Sequence, residues 1–93
     1  MRTIEYTSQF KKDFKRESKG RYRANFAQML QETLDFLAKD IALPARYRDH
    51  ALTGDWADHR DCHIKPDMVL IYRLPDMETL QLVRVGSHSE LGL

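Results

Sequence analysis

A single cysteine, Cys62, among 93 residues has no partner for an intrachain disulfide. That excludes a disulfide-stapled secreted scaffold and fits a reducing compartment. No stretch approaches the ~20 apolar residues that a membrane span needs. The opening MRTIEYTSQF lacks the apolar core of a signal peptide, so the expected home is the cytoplasm, with no membrane partner. Glycine and proline are sparse, at 4 and 3, and the net charge is only +1. With 42% hydrophobic and 31% charged residues, the chain is not disordered in composition. It is expected to form one domain over residues 1–93. A domain of this size buries only somewhat more than ~60% of its unfolded surface, enough for one core and one shallow site.

The small net charge hides an asymmetry. Residues 1–49 carry an excess of +4 and residues 50–93 an excess of −3. Lys11, Lys12, Lys15, Arg16, Lys19, Arg21 and Arg23 stand against only Asp13 and Glu17 in that segment. A basic face attracts phosphate backbones by releasing counterions. The plainer reading is a solvated helix face. All four histidines fall in the acidic half.

Thr3-Ile4-Glu5-Tyr6 alternates and predicts a short strand. Thr7 or Ser8 can cap a helix carrying Phe10 and Phe14 on one face, with Gly20 as a stop. Phe26, Met29, Leu30, Thr33, Leu34 and Leu37 follow the helical period, predicting a second helix from about Arg23 to Ala38. Lys39 to Trp56 has no clean period, and Pro44 argues against a helix there. Such long connections are often functional. Strands are expected over residues 58–64, 68–74 and 79–85. The order β-α-α-β-β-β implies an α+β domain, with two helices on one side of a mostly antiparallel sheet.

In His59-Arg60-Asp61-Cys62-His63-Ile64, alternate side chains share a face. Cys62 and Ile64 suit a core, where a thiol behaves as a small hydrophobe. His59, Asp61 and His63 share the other face. Zinc is a poor reading: His59 and His63 on one strand stand ~13 Å apart, and zinc ligands each lie ~2 Å from one ion. No CxxC or HExxH spacing occurs. Metal-free acid–base chemistry fits better, because histidine holds or releases a proton near neutrality. Cutting RNA through its own 2′-hydroxyl needs a base, an acid and cations for the phosphate charge. His50, His63, Asp67, His88 and Arg84 supply those types. Scattered surface histidines are the competing reading. The Lys65-Pro66 turn is expected to bring Asp67 beside His63.

The pattern Asp-His, Leu-x-Gly-x-Trp, then Arg-Asp-x-His-x-x-Pro-Asp before "LIY" is long and specific, in YRDHALTGDWADHRDCHIKPDMVLIYRL. With the opening IEY and the ending RVGSHSEL, the chain resembles the YafQ toxins, within the RelE-like type II toxin–antitoxin ribonucleases, over nearly its whole length. The resemblance implies the RelE-like fold and cleavage of messenger RNA in the ribosomal A site, held in check by a cognate antitoxin. No metal or cofactor is expected. Its active-site positions fall on His50, His63, Asp67 and His88, its preceding aspartate on Asp61, its tryptophan on Trp56 and its arginine on Arg84. His50 and His88 are the expected acid–base pair, in either order. His63 and Asp67 would orient groups or the 2′-hydroxyl, and Arg84 would steady the phosphate. Trp56 reads better as a lid over the core than as a base-stacking residue. Asp61 pairs with a cation or holds an imidazole. The basic first helix would lie on ribosomal RNA, and operator DNA would be met only within the antitoxin complex. One departure is the ending Leu91-Gly92-Leu93, where related chains carry an aromatic residue. The same fold also serves gyrase-poisoning toxins, which need no histidine set, and an inactive RNA- or antitoxin-binding module is a third reading.

Overall fold

Thr3–Tyr6 forms β1, as its alternation predicts. The computed structural model describes all 93 residues. Thr7 caps α1, Ser8–Glu17, by accepting from the Phe10 amide at 3.0 Å. The chain then turns, and α2 spans Phe26–Ala38. Three strands follow as a meander: β3 Arg60–Lys65, β4 Met68–Arg73 and β5 Thr79–Gly86. Before them the long connection is ordered by two short 3-10 turns, Ala45–Tyr47 and Gly54–Trp56, and by a two-residue strand, β2, His50–Ala51. After β5 comes a four-residue helix, α3, His88–Leu91. The connection and the tail therefore carry more regular structure than their patterns announce. The first helix also stops short of Gly20, and β3 starts two residues later than expected because Asp58 takes a left-handed conformation.

The five strands lie in the order β1-β5-β4-β3-β2. β1 runs parallel to β5, and every other pairing is antiparallel. Both helices contribute to one face. Phe10 of α1 and Phe26, Leu30, Leu34 and Leu37 of α2 pack over Cys62, Leu70, Tyr72, Leu80, Leu82 and Val85. Each such side chain contributes roughly 1.5–3 kcal/mol on burial. On the other face a smaller cluster joins Val69, Ile71 and Leu91, flanked by Leu52, Trp56 and Val83.

β1 pairs with β5 only as far as Leu82. Beyond it the outer edge of β5 needs other partners, since unpaired backbone groups are costly once buried. α1 supplies them from its side chains. Thr7 Oγ1 donates to the Val83 carbonyl at 2.9 Å, Asp13 Oδ2 accepts from the Val85 amide at 3.2 Å, and Arg16 Nη2 donates to the Val85 carbonyl at 2.9 Å. This explains why an aspartate in a lysine-rich helix is fully buried.

Candidate active site

β2 pairs with β3 so that His50 stands opposite Asp61. Two residues along β3, His63 points to the same side. His88, first in α3, sets its ring edge-on to that of His63, with centroids 5.1 Å apart. Asp61 is 3% exposed. Its Oδ1 lies 3.1 Å from His50 Nδ1, but that nitrogen hydrogen-bonds to the Arg48 carbonyl at 2.7 Å. Oδ1 is therefore a buried acceptor without a donor. Burial pushes the Asp61 carboxyl up, opposed by the nearby imidazoles of His50, His63 and His88. Burial pushes His63 down, with Asp61 acting against it, so His63 is held toward its neutral form.

Beside the two rings opens a cavity of about 590 Å³ whose walls include Arg46, Arg48, His63, Lys65 and His88. Three cations and two imidazoles there suit a phosphate ester. The loop holding Arg46, Arg48 and His50 is anchored by Asp49, which accepts from the buried Tyr72 hydroxyl and from Arg60 Nε and Nη2, both at 3.3 Å. Arg48 turns the chain in a left-handed conformation, φ 49°.

The structure thus brings His50, Asp61, His63 and His88 together, but two expected members lie elsewhere. Arg84 is committed to Asp13, with Nε to Oδ2 at 2.6 Å and Nη2 to Oδ1 at 3.1 Å. A guanidinium closed on a buried carboxylate is a structural tie, and Arg46, Arg48 and Lys65 stand at the cavity in its place. Asp67 sits at the exposed β3–β4 turn, 3.7 Å from Arg21, in a neighbouring depression shared with Ser87 and Glu90. The ion pair its carboxylate makes is with Arg21, and none joins it to His63. Trp56 packs in the smaller cluster, its ring edge-on to His59 at 5.4 Å. Lys11, Lys12, Lys15, Lys19, Arg21 and Arg23 are exposed, whereas the Arg16 nitrogens are engaged by Asp13, Glu17, Glu90 and Val85. The cavity cations were missed by sequence reasoning. The available signal was Arg46-x-Arg48-x-His50, two cations just ahead of a candidate histidine.

A mixed five-stranded sheet backed by two helices, with imidazoles and arginines gathered around a buried aspartate, defines a small α+β protein with those titratable groups on one side of the sheet. A family model described as "Bacterial toxin of type II toxin-antitoxin system, YafQ" matches residues 2–92, and the chain belongs to that family. The mRNA interferase toxin YafQ of Escherichia coli K12 is 40% identical over 90 residues, covering 97% of this chain and 95% of that one. In the crystal structure of the E. coli DinJ–YafQ complex, a chain 38% identical superposes with a TM-score of 0.84, covering 98% of each. The crystal structure of a metal-bound toxin from Helicobacter pylori, 40% identical, gives 0.82, covering 98% of this chain and 99% of that one.

Proposed function

We propose that this chain is a ribosome-dependent endoribonuclease that cuts messenger RNA in the A site and so arrests translation. The observation that carries the reading is the grouping of His50, His63 and His88 around buried Asp61, beside a cavity edged by Arg46, Arg48 and Lys65. The 2′-hydroxyl of the upstream nucleotide attacks the adjacent phosphorus, the bond to the 5′-oxygen breaks, and a 2′,3′-cyclic phosphate and a 5′-hydroxyl result. One imidazole takes the 2′ proton and another returns a proton to the leaving oxygen. His50 and His88 are the pair we assign to those roles. His50 Nδ1 is engaged by the Arg48 carbonyl, which leaves Nε2 as the nitrogen that can take the 2′ proton. Neutral His63 and Asp61 orient the rings, and the three cavity cations meet the phosphate charge. Asp67 stays outside this set and serves the rim with Arg21. The E. coli relative's complex supports a cognate antitoxin as partner, and we place operator DNA within that complex only. Ribosomal RNA would meet the exposed lysines of α1.

No group of three or more His, Cys, Asp or Glu side chains converges on one ion position. The proposed steps are written with side chains alone.

Cleavage of a defined messenger RNA on programmed ribosomes, followed at its new 5′ ends, tests the reading. His88→Ala is expected to slow the cut by about 10²–10⁴-fold, and EDTA at a concentration that leaves the ribosome intact is expected to leave the wild-type rate unchanged. Equal rates for the two proteins, or loss of cutting on chelation, overturns the mechanism.

A further inference from the structure

α3 has four residues, far fewer than a helix needs to hold its own shape in water. Whatever grips it sets its geometry, and His88 is its first residue. Leu91 grips one end by burial against Val69 and Ile71. At the other end Ser87 and Glu90 cap each other. Ser87 Oγ accepts from the Glu90 amide at 3.2 Å, and Glu90 Oε1 accepts from the Ser87 amide at 2.9 Å. Glu90 Oε2 lies 3.1 Å from Arg16 Nε as an ion pair, while the single Nε hydrogen is donated to Glu17 Oε2. The other two Arg16 nitrogens are fixed as well, Nη1 to Asp13 Oδ1 at 3.0 Å and Nη2 to the Val85 carbonyl at 2.9 Å. A line of contacts thus runs from the buried carboxylate of α1, through one guanidinium, to the cap of the turn that carries His88. Gly86 keeps this space open: a Cβ there would lie 2.6 Å from Arg16 Nη2 and 3.2 Å from Glu90 Oε1.

We propose that Arg16 and Glu90 form a positioning pair that sets the His88 imidazole, and that Arg16 is not one of the phosphate contacts of the basic helix. All three of its nitrogens already donate within the protein, one of them to the β5 edge at the Val85 carbonyl. This inference rests on His88 being catalytic.

Steady-state cleavage on programmed ribosomes tests it with Arg16→Ala, Glu90→Ala, the double variant, Glu90→Gln and Gly86→Ala. Both partners are 39% exposed at the side chain, so the variants are expected to fold, and thermal unfolding checks each. Arg16→Ala and Glu90→Ala should each lower kcat by about 10- to 100-fold with little change in KM, as displaced catalytic groups do. The double variant should be no worse than the poorer single, because both break one contact. Gly86→Ala should follow them, since its methyl displaces the Arg16 tip. Glu90→Gln keeps an acceptor for Ser87 but turns an amide N–H2 toward Arg16, so it should lose kcat as Glu90→Ala does; wild-type kcat in Glu90→Gln would assign the effect to the cap alone and overturn the pair. In NMR spectra of the free protein the His88 ring signals should move in Arg16→Ala while those of His50 stay. A raised KM and a shallower salt dependence for Arg16→Ala, with Glu90→Ala at the wild-type kcat, overturns the proposal and makes Arg16 an RNA contact. Should Arg16→Ala fail to fold, the Glu90 variants and Gly86→Ala decide alone. Equal rates for His88→Ala and wild type would instead remove the catalytic reading on which the proposal stands.

Discussion

Helices α1 and α2 bury Cys62, Leu70, Tyr72, Leu80, Leu82 and Val85 on one side of the sheet, whereas the other side buries only Val69, Ile71 and Leu91. The covered side supplies the core. The sparser side leaves room for Asp61, His63 and the cations around them. Each region also buries one carboxylate, and the two are served in opposite ways. Burial alone would raise the Asp13 carboxyl, but hydrogen bonds from Arg84 and the Val85 amide, with the charges of Arg84 and Arg16, hold it below its usual range. Burial raises Asp61, and no donor reaches its Oδ1. The two buried carboxylates thus differ in the donors they meet. Asp13 is met on both oxygens, whereas Asp61 keeps one oxygen unmet.

Removing the charge at each position separates the two regions. Asp13→Asn deprives Arg84 and Arg16 of their shared partner and should cost about 3 kcal/mol of stability, since breaking a buried ion pair is more costly than never having one. A urea titration should show a lower midpoint with an unchanged slope. A midpoint within error of wild type would mean that α1 does not hold the β5 edge through Asp13. Any activity lost by this variant should return under conditions that restore the fold.

Asp61→Asn should act on chemistry instead. It removes the charge that faces three imidazoles, and cleavage should fall by about 10- to 100-fold with the fold intact, as loss of an orienting hydrogen-bonding group does at active sites. Full activity in this variant would reduce Asp61 to a buried neighbour of the site.

Much of this division was legible in the sequence. β1 is bounded where its alternation starts and stops, and α2 ends at Ala38 where its apolar period ends. The polar face of β3, with Asp61 and His63, followed from the two-residue period alone. Two short elements did not. β2 is two residues long and exists through its pairing with β3, which no local pattern encodes. α3 left a readable trace in the Ser87-His88-Ser89-Glu90 capping box, but four residues give no period. The pairing of Arg84 with Asp13 was hidden for a different reason. Asp13 lies 71 residues earlier, in a run whose lysines mark it as solvated. Charge patterning describes a helix surface and says nothing about which of its members an edge strand will claim.

The smallest expected effect is the pH dependence of stability, and it carries opposite signs in the two regions. Asp13 has a folded value below its unfolded 3.8. Its contribution is complete above 3.8 and is lost as the pH falls through the lower folded value. The deficit of Asp13→Asn should therefore be full at neutrality and shrink in acid. Asp61 has a folded value above 3.8, so the folded chain holds its proton longer and stability declines as the pH rises between the two values. Asn cannot titrate, so Asp61→Asn should gain on the wild type across that window and stay more stable at neutrality. His63 adds a term of its own. Its folded value lies below 6.5, so the unfolded chain takes up the proton first and all three proteins lose stability on acidification below 6.5, Asp61→Asn the most because it lacks the carboxylate that opposes the lowering. Urea midpoints from about pH 3 to 8 for the three proteins measure these terms. If Asp61→Asn proves less stable than wild type at pH 7, Asp61 is held by partners in solution as Asp13 is, and the contrast between the two carboxylates disappears.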